Sequence, residues 1–148
     1  ILMFIGASSG GTGGGIKTST FGVLILFTYY LLKGKKDVNI FKRVIASEKM
    51  EKSFGIFITS LIFIVVALLI LLFSEKFSFI ALLFEVVSAL GTVGLSLGIT
   101  PYLSSVGKIV IISLMLIGRI GPLAIGFSLL GKQKEISFKY PKADIFVG

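Results

Sequence analysis

Two short runs place a threonine among glycines in the same order, Gly11-Thr12-Gly13-Gly14 and Gly91-Thr92-Val93-Gly94. The chemistry open to them belongs to the main chain. Backbone carbonyls can replace the hydration shell of a monovalent cation when the chain turns several of them toward one axis. Such a turn needs φ > 0 at some positions, which glycine adopts without a Cβ clash. A threonine at the inner end of the turn adds a hydroxyl oxygen. Thr12, Gly13, Gly14, Thr92, Val93 and Gly94 are therefore candidate cation ligands. The cation would be cargo, with no resident cofactor. The runs also belong to a longer repeat: Phe4, Ser8, Gly11, Thr12 and Gly14 recur as Phe84, Ser88, Gly91, Thr92 and Gly94, displaced by 80 positions. That period is too long for a solenoid and suggests a duplicated unit of helix, half-helix, loop and helix.

Competing chemistries fail on spacing and composition. The stretch SSGGTGGGIKTST invites comparison with a phosphate-binding loop, but that motif needs glycine immediately before the lysine, and Ile16 precedes Lys17. The dinucleotide pattern fails as well, because Gly11 and Gly13 would require glycine at position 16. The chain has no Cys and no His, which removes disulfides, the usual zinc and haem ligands, and thiol or Ser-His nucleophiles. No enzyme activity is expected.

The elements that must position these loops are apolar. Hydrophobic residues make up 55% of the 148, and the mean hydropathy is +1.03, more than a soluble core requires. Residues 53–73 carry no charge; at about 1.5 Å per residue they span roughly 30 Å, the thickness of a bilayer's hydrocarbon core. A transmembrane helix is expected there. The net charge of +8 is concentrated: seven Lys and Arg against three acids lie between residues 33 and 52, and Lys132, Lys134, Lys139 and Lys142 lie in the tail. Such clustering fits cytoplasmic loops of a membrane protein, not nucleic-acid binding. Residues 33–52 and 131–148 are thus placed inside, with an amphipathic surface helix or a solvated linker expected within 33–52.

Residues 79–91 are too short to cross, at about 20 Å, and Pro101 is expected to stop any helix after the loop. A long segment from about Leu103 to Leu130 then returns inward. Parity requires 79–100 to enter and leave on the outer side, as a re-entrant half-helix and loop. Non-helical backbone at membrane depth is tolerated only where it is buried or lines a cavity. The first copy obeys the same logic: residues 1–7 as a half-helix end, 8–15 as loop, 16–32 as the descending helix. The chain opens at Ile1 inside an apolar segment with no signal peptide, so it reads as the C-terminal piece of something longer.

Three charged residues bear on the loops. Arg119 would lie roughly 17 Å from a helix end near Leu130, too far to snorkel. A guanidinium facing lipid there costs about 2.5 kcal/mol or more, so it must face a pore or pair internally, for instance with Glu85. Glu85, two turns before Thr92, attracts cations, holds the loop or pairs with Lys17 or Arg119. Bracing of the loop is the role favoured for Glu85, and for Lys17 a brace or outer-mouth role. Ser8, Ser9 and Ser88 either hydrogen-bond the loops or allow close helix packing.

Taken together, GTGGGIKTSTF, FE-x-x-SALGTVGLSLGIT-x-x-LS-x-x-GK, GRIGPL and the tail YPKADIFVG resemble the third and fourth repeats of the Trk/Ktr/HKT superfamily of potassium transporters. The Thr92-Val93-Gly94 triplet also matches the start of the potassium-channel filter. The resemblance covers almost the whole chain. It implies an all-α membrane protein of repeated helix, pore helix, filter loop and helix units. Residues 1–32 would end one repeat, 33–52 form a basic linker, 53–130 a second repeat and 131–148 a cytoplasmic tail. It implies filter glycines at Gly14 and Gly94, Arg119 as a barrier beneath the filter, and a gate in an irregular stretch within 18–32, where beyond Gly22 no break is visible. Potassium uptake across the bacterial cytoplasmic membrane, by a multi-pass subunit, is the implied activity. The implied partners are the missing first and second repeats, a second copy in a homodimer, membrane lipid and a cytosolic ring of nucleotide-binding regulatory subunits. A truncated, non-conducting fragment or an accessory membrane protein is the competing reading, because two loops cannot encircle an ion.

Overall fold

The computed structural model describes residues 3–6, 8, 13–33, 39–40, 43–44, 47–121 and 124. Within them four α-helices follow one another: α1 (Thr18–Leu32), α2 (Ser47–Ser74), α3 (Phe79–Gly91) and α4 (Ser105–Ile120). A two-residue antiparallel pair, β1 (Asn39–Ile40) with β2 (Arg43–Val44), separates α1 from α2. It stands in part of the segment where a surface helix or plain linker was expected. Its register pairs Asn39 with Val44 and Ile40 with Arg43, and β-branched Ile and Val favour extended backbone. Among the described residues the other regular elements are helical, consistent with an all-α membrane protein.

Helix α2 has 28 residues, or roughly 42 Å at the α-helical rise. Its stretch Lys49–Ser74 is long and apolar enough to cross a membrane, while α1 and α3 are apolar but shorter. The helix begins before the expected start at Ser53 because Lys, Glu and Met are good helix formers. Its hydroxyls need no water: Ser53 donates to the Lys49 carbonyl at 2.8 Å, Thr59 to Gly55 at 2.7 Å and Ser60 to Ile56 at 2.7 Å. Ile58, Leu61, Ile62, Val65, Val66, Leu69 and Ile70 are exposed on this helix, an apolar surface suited to lipid.

Helix α3 covers the segment expected, and its ends have local causes. Ser78 caps the start, accepting the Ala81 amide at 3.4 Å. At the other end Thr92 turns left-handed, and the amides of Thr92 and Val93 donate back to Ala89 and Ser88 at 3.1 and 3.0 Å. Pro101 occupies the opening of a 3-10 turn (Thr100–Tyr102), where a missing N–H leaves no hydrogen bond unmade. Ser104 then caps α4, its amide and hydroxyl both donating to Glu75 Oε1 at the C-terminal end of α2.

Within the segment expected from about Leu103 to Leu130, α4 ends at Ile120, where Gly121 leaves the helix with φ 105°, a value glycine accepts readily; of residues 122–130 only Ala124 is among those described. The expected tail at 131–148 lies outside the described residues. Helix α1 starts at Thr18, with Lys17 as N-cap, and runs unbroken to Leu32, so the irregular stretch of a gate is absent from it.

The core lies where α2, α3 and α4 meet. Ile64, Ala67 and Leu71 of α2 face Leu82, Val86, Ala89 and Leu90 of α3 and Ile111 and Leu114 of α4, at helical spacings of three, four and seven. Gly118 continues the α4 stripe, and a Cβ there would run into the Leu90 carbonyl. Only a hydrogen fits, so the backbones of α3 and α4 touch.

Candidate cation-binding loops

The first loop is closed by its own backbone. Residues 3–6 are not the end of a half-helix, as expected for 1–7: residues 3 and 4 form a turn and Ile5 bridges Ile16 in parallel. The Gly6 amide donates to the Ile16 carbonyl at 2.7 Å, and Ile16 is fully buried. These long-range contacts take the place of a helical turn at residues 3–6. Gly14 is buried and Gly13 half-buried. Gly15 has φ 77°. Thr12 lies outside the described residues, as does Ser9.

The second loop, 92–99, is held from below by α3. Glu85 is 4% exposed, a costly place for a carboxylate unless its oxygens are satisfied. Ser96 Oγ donates to Oε1 at 2.5 Å, the Leu97 amide to Oε1 at 3.2 Å and Thr100 Oγ1 to Oε2 at 2.9 Å. Two groups of the loop and one of the 3-10 turn that follows it therefore converge on one side chain. Ser88, also buried, donates to the Leu95 carbonyl at 2.5 Å. Gly94 and Gly98 take φ 79° and 86°, the backbone feature the cation chemistry calls for. Thr92 also has positive φ, 51°, and holding a non-glycine residue there costs on the order of 1–3 kcal/mol.

The loops meet at Gly14. Its amide donates to Thr92 Oγ1 at 2.7 Å, across 78 positions of sequence. A Cβ on Gly14 would lie 2.6 Å from the Gly118 carbonyl oxygen and 2.7 Å from the Thr92 methyl, so the glycine is wedged between loop and helix. Gly91 sits against the Met3 carbonyl in the same way, at 2.5 Å from where its Cβ would be. Beside this junction lies an open groove of about 400 Å³ lined by Met3, Ile5, Gly6, Gly13, Gly91, Thr92 and Val93. Val93 and Gly94 are exposed.

The structure thus brings together Gly13, Gly14, Thr92 and Val93, with Gly94 next in the same loop and Glu85 beneath it. Lys17 is exposed at the start of α1. Arg119 is exposed in the last turn of α4, where a cation meets the negative end of the helix dipole. The helix end near Leu130 assumed for its depth lies outside the described residues. Its backbone nevertheless directly follows Gly118, whose carbonyl abuts Gly14. Sequence reasoning missed Ser96 and Thr100 as partners of Glu85, and Gly118 as the floor of the first loop. Small polar residues eleven and fifteen positions from Glu85 give no periodic signal.

With this geometry in hand, comparison with known proteins is decisive about family. The TrkH family, described as "Cation transport protein", matches residues 1–137, and the chain belongs to it. This is a family of transporters, not enzymes. The chain is 46% identical over 147 residues to the Ktr system potassium uptake protein D of Bacillus subtilis strain 168, covering 99% of the chain and 33% of that relative. It is 41% identical over 148 residues to the Ktr system potassium uptake protein B of the same organism, covering 100% and 33%. To the potassium/sodium uptake protein NtpJ of Enterococcus hirae it is 44% identical over 155 residues, covering 99% and 34%. The chain spans about a third of the length of these curated relatives.

Replacing Glu85 tests the second loop. Glu85→Ala removes three hydrogen bonds at once; bonds to a charged group contribute about 1.5–3 kcal/mol each. Faster amide exchange at residues 95–100 is expected, with α2 unchanged, and Glu85→Gln, which keeps one acceptor oxygen, falls between. Exchange at wild-type rates in Glu85→Ala would show that the loop does not depend on it.

Proposed function

We propose that residues 13–14 and 92–94 are halves of two filter loops in a potassium-translocating membrane subunit, with α3 as the pore helix of the second. The observation that carries this reading is the junction at Gly14: two glycine-bearing loops, 78 positions apart, are joined by one hydrogen bond beside an open groove. Thr12 completes the first triplet in sequence. Carbonyls of Gly13, Gly14, Val93 and Gly94 then replace the water of a monovalent cation that descends its electrochemical gradient. Glu85 braces the second loop from the pore helix, and Lys17 lies at the outer mouth of the first. Arg119, one residue beyond the carbonyl that supports Gly14, places positive charge below the loops as an internal barrier.

Two loops cannot encircle an ion. The proposal therefore includes two further loops from the preceding repeats of a full-length, multi-pass protein of the bacterial cytoplasmic membrane, embedded in lipid and working as a homodimer. The basic segment 33–52 and the tail are the proposed contact for a cytosolic nucleotide-binding regulatory ring. The relatives' names supply potassium uptake, and in one case sodium, as the cargo class. The competing reading, a non-conducting fragment or accessory membrane protein, applies to residues 1–148 acting alone.

Gly94→Asp tests the filter. A Cβ at Gly94 meets nothing within 4 Å, and Asp tolerates the left-handed region, so the variant should fold. In a potassium-uptake-deficient strain expressing the full reading frame, uptake is expected to be lost with the protein still in the membrane; normal uptake would sink the filter assignment. Arg119→Ala is expected to alter potassium flux at unchanged abundance. Loss of folded protein would instead assign Arg119 to a structural ion pair.

A further inference from the structure

Helices that end left-handed do so most readily on glycine, and a β-branched residue is disfavoured there. Helix α3 ends on Thr92, the non-glycine residue with positive φ among the described residues. Capping does not explain the choice, since the two capping hydrogen bonds use main-chain atoms that glycine would supply with less strain. The side chain does. Oγ1 accepts the Gly14 amide at 2.7 Å, and the methyl occupies the space beside Gly14 that a Cβ would need. On its other side Gly14 meets the Gly118 carbonyl. Gly14 is buried, so its amide needs a fixed acceptor.

We propose that Thr92 is a positioning residue: its hydroxyl straps the first loop to the second and sets the relative height of their carbonyls. Its oxygen acts through Gly14 and is not itself a cation ligand. The consequence for selectivity rests on the reading of these loops as a cation path. Whether a filter discriminates by cavity size or by carbonyl field strength, both depend on where the carbonyls stand relative to one another. Strain at a left-handed threonine persists only where the surroundings over-determine it, and here they do so through one hydrogen bond and one methyl contact.

The test uses the full-length protein and two readouts. Thr92→Val keeps the branch and the volume and removes the acceptor; Thr92→Ser keeps the acceptor and removes the methyl. Potassium uptake under sodium competition reads the filter, and amide exchange of peptides spanning residues 13–17 reads the strap. In Thr92→Val, sodium should compete about tenfold better, the size expected for one lost hydrogen bond. The KM for potassium should rise more than the maximal rate falls, and the Gly14 peptide should lose protection while α2 peptides keep theirs. Thr92→Ser should recover most of both. Altered selectivity with Gly14 still protected would overturn the proposal and make the hydroxyl a direct ligand. Wild-type selectivity in Thr92→Val would overturn it as well. If Thr92→Val does not accumulate, Thr92→Cys, whose sulfur is a weak acceptor, is read against the same outcomes. The two readings fail separately: intact uptake in Gly94→Asp with an unprotected Gly14 amide in Thr92→Val removes the filter and the selectivity claim, and leaves the strap as a fold contact.

Discussion

Backbone that leaves a helix inside a membrane has no water to bond to, and each N–H and C=O must find a protein partner. In the proposed reading of residues 13–17 and 92–99 as filter loops that constraint applies to them, and several specific contacts of the described residues answer it. The Gly6 amide goes to Ile16, the Gly14 amide to Thr92, the Leu95 carbonyl to Ser88 and the Leu97 amide to Glu85. Among the described residues no buried side-chain oxygen or nitrogen lacks a partner. The polar side chains of α3 are thus spent on the loop that follows it, which explains a carboxylate and a serine on an otherwise apolar half-length helix.

Glycine serves the same constraint from the steric side. Gly14 and Gly118 are required because main chains touch: the first loop against α4 at Gly14, and α4 against α3 at Gly118. At Gly94 the requirement is conformational, since no neighbour would obstruct a side chain there. The two kinds of glycine make different demands on function. The first fixes where the loop and the helices stand, and the second fixes how the chain turns at Gly94.

Much of this was legible in the sequence because it is local. The thirteen residues of α3, the start of the loop at Thr92 and the apolar length of α2 follow from composition, glycine placement and hydropathy. The 80-residue repeat pointed to both loops before any fold was known. What was not legible is long-range or depends on a competitor. The link from Thr92 to Gly14 crosses 78 positions and has no periodic signature. The partners of Glu85 are ordinary small polar residues. At residues 3–6 the expected half-helix end lost to pairing of Ile5 with Ile16, and α4 is interrupted by the left-handed turn at Gly121. In each case hydrophobicity gave the right environment and the wrong local geometry.

The central claim is that the two loops belong to one cation path. It is tested most directly by locating a heavy potassium substitute in the full-length protein, by anomalous diffraction from crystals grown in rubidium or thallium. The account predicts ion density within coordination distance of main-chain oxygens from both residues 13–14 and residues 93–94. Density confined to one loop, or placed elsewhere in the molecule, would contradict it.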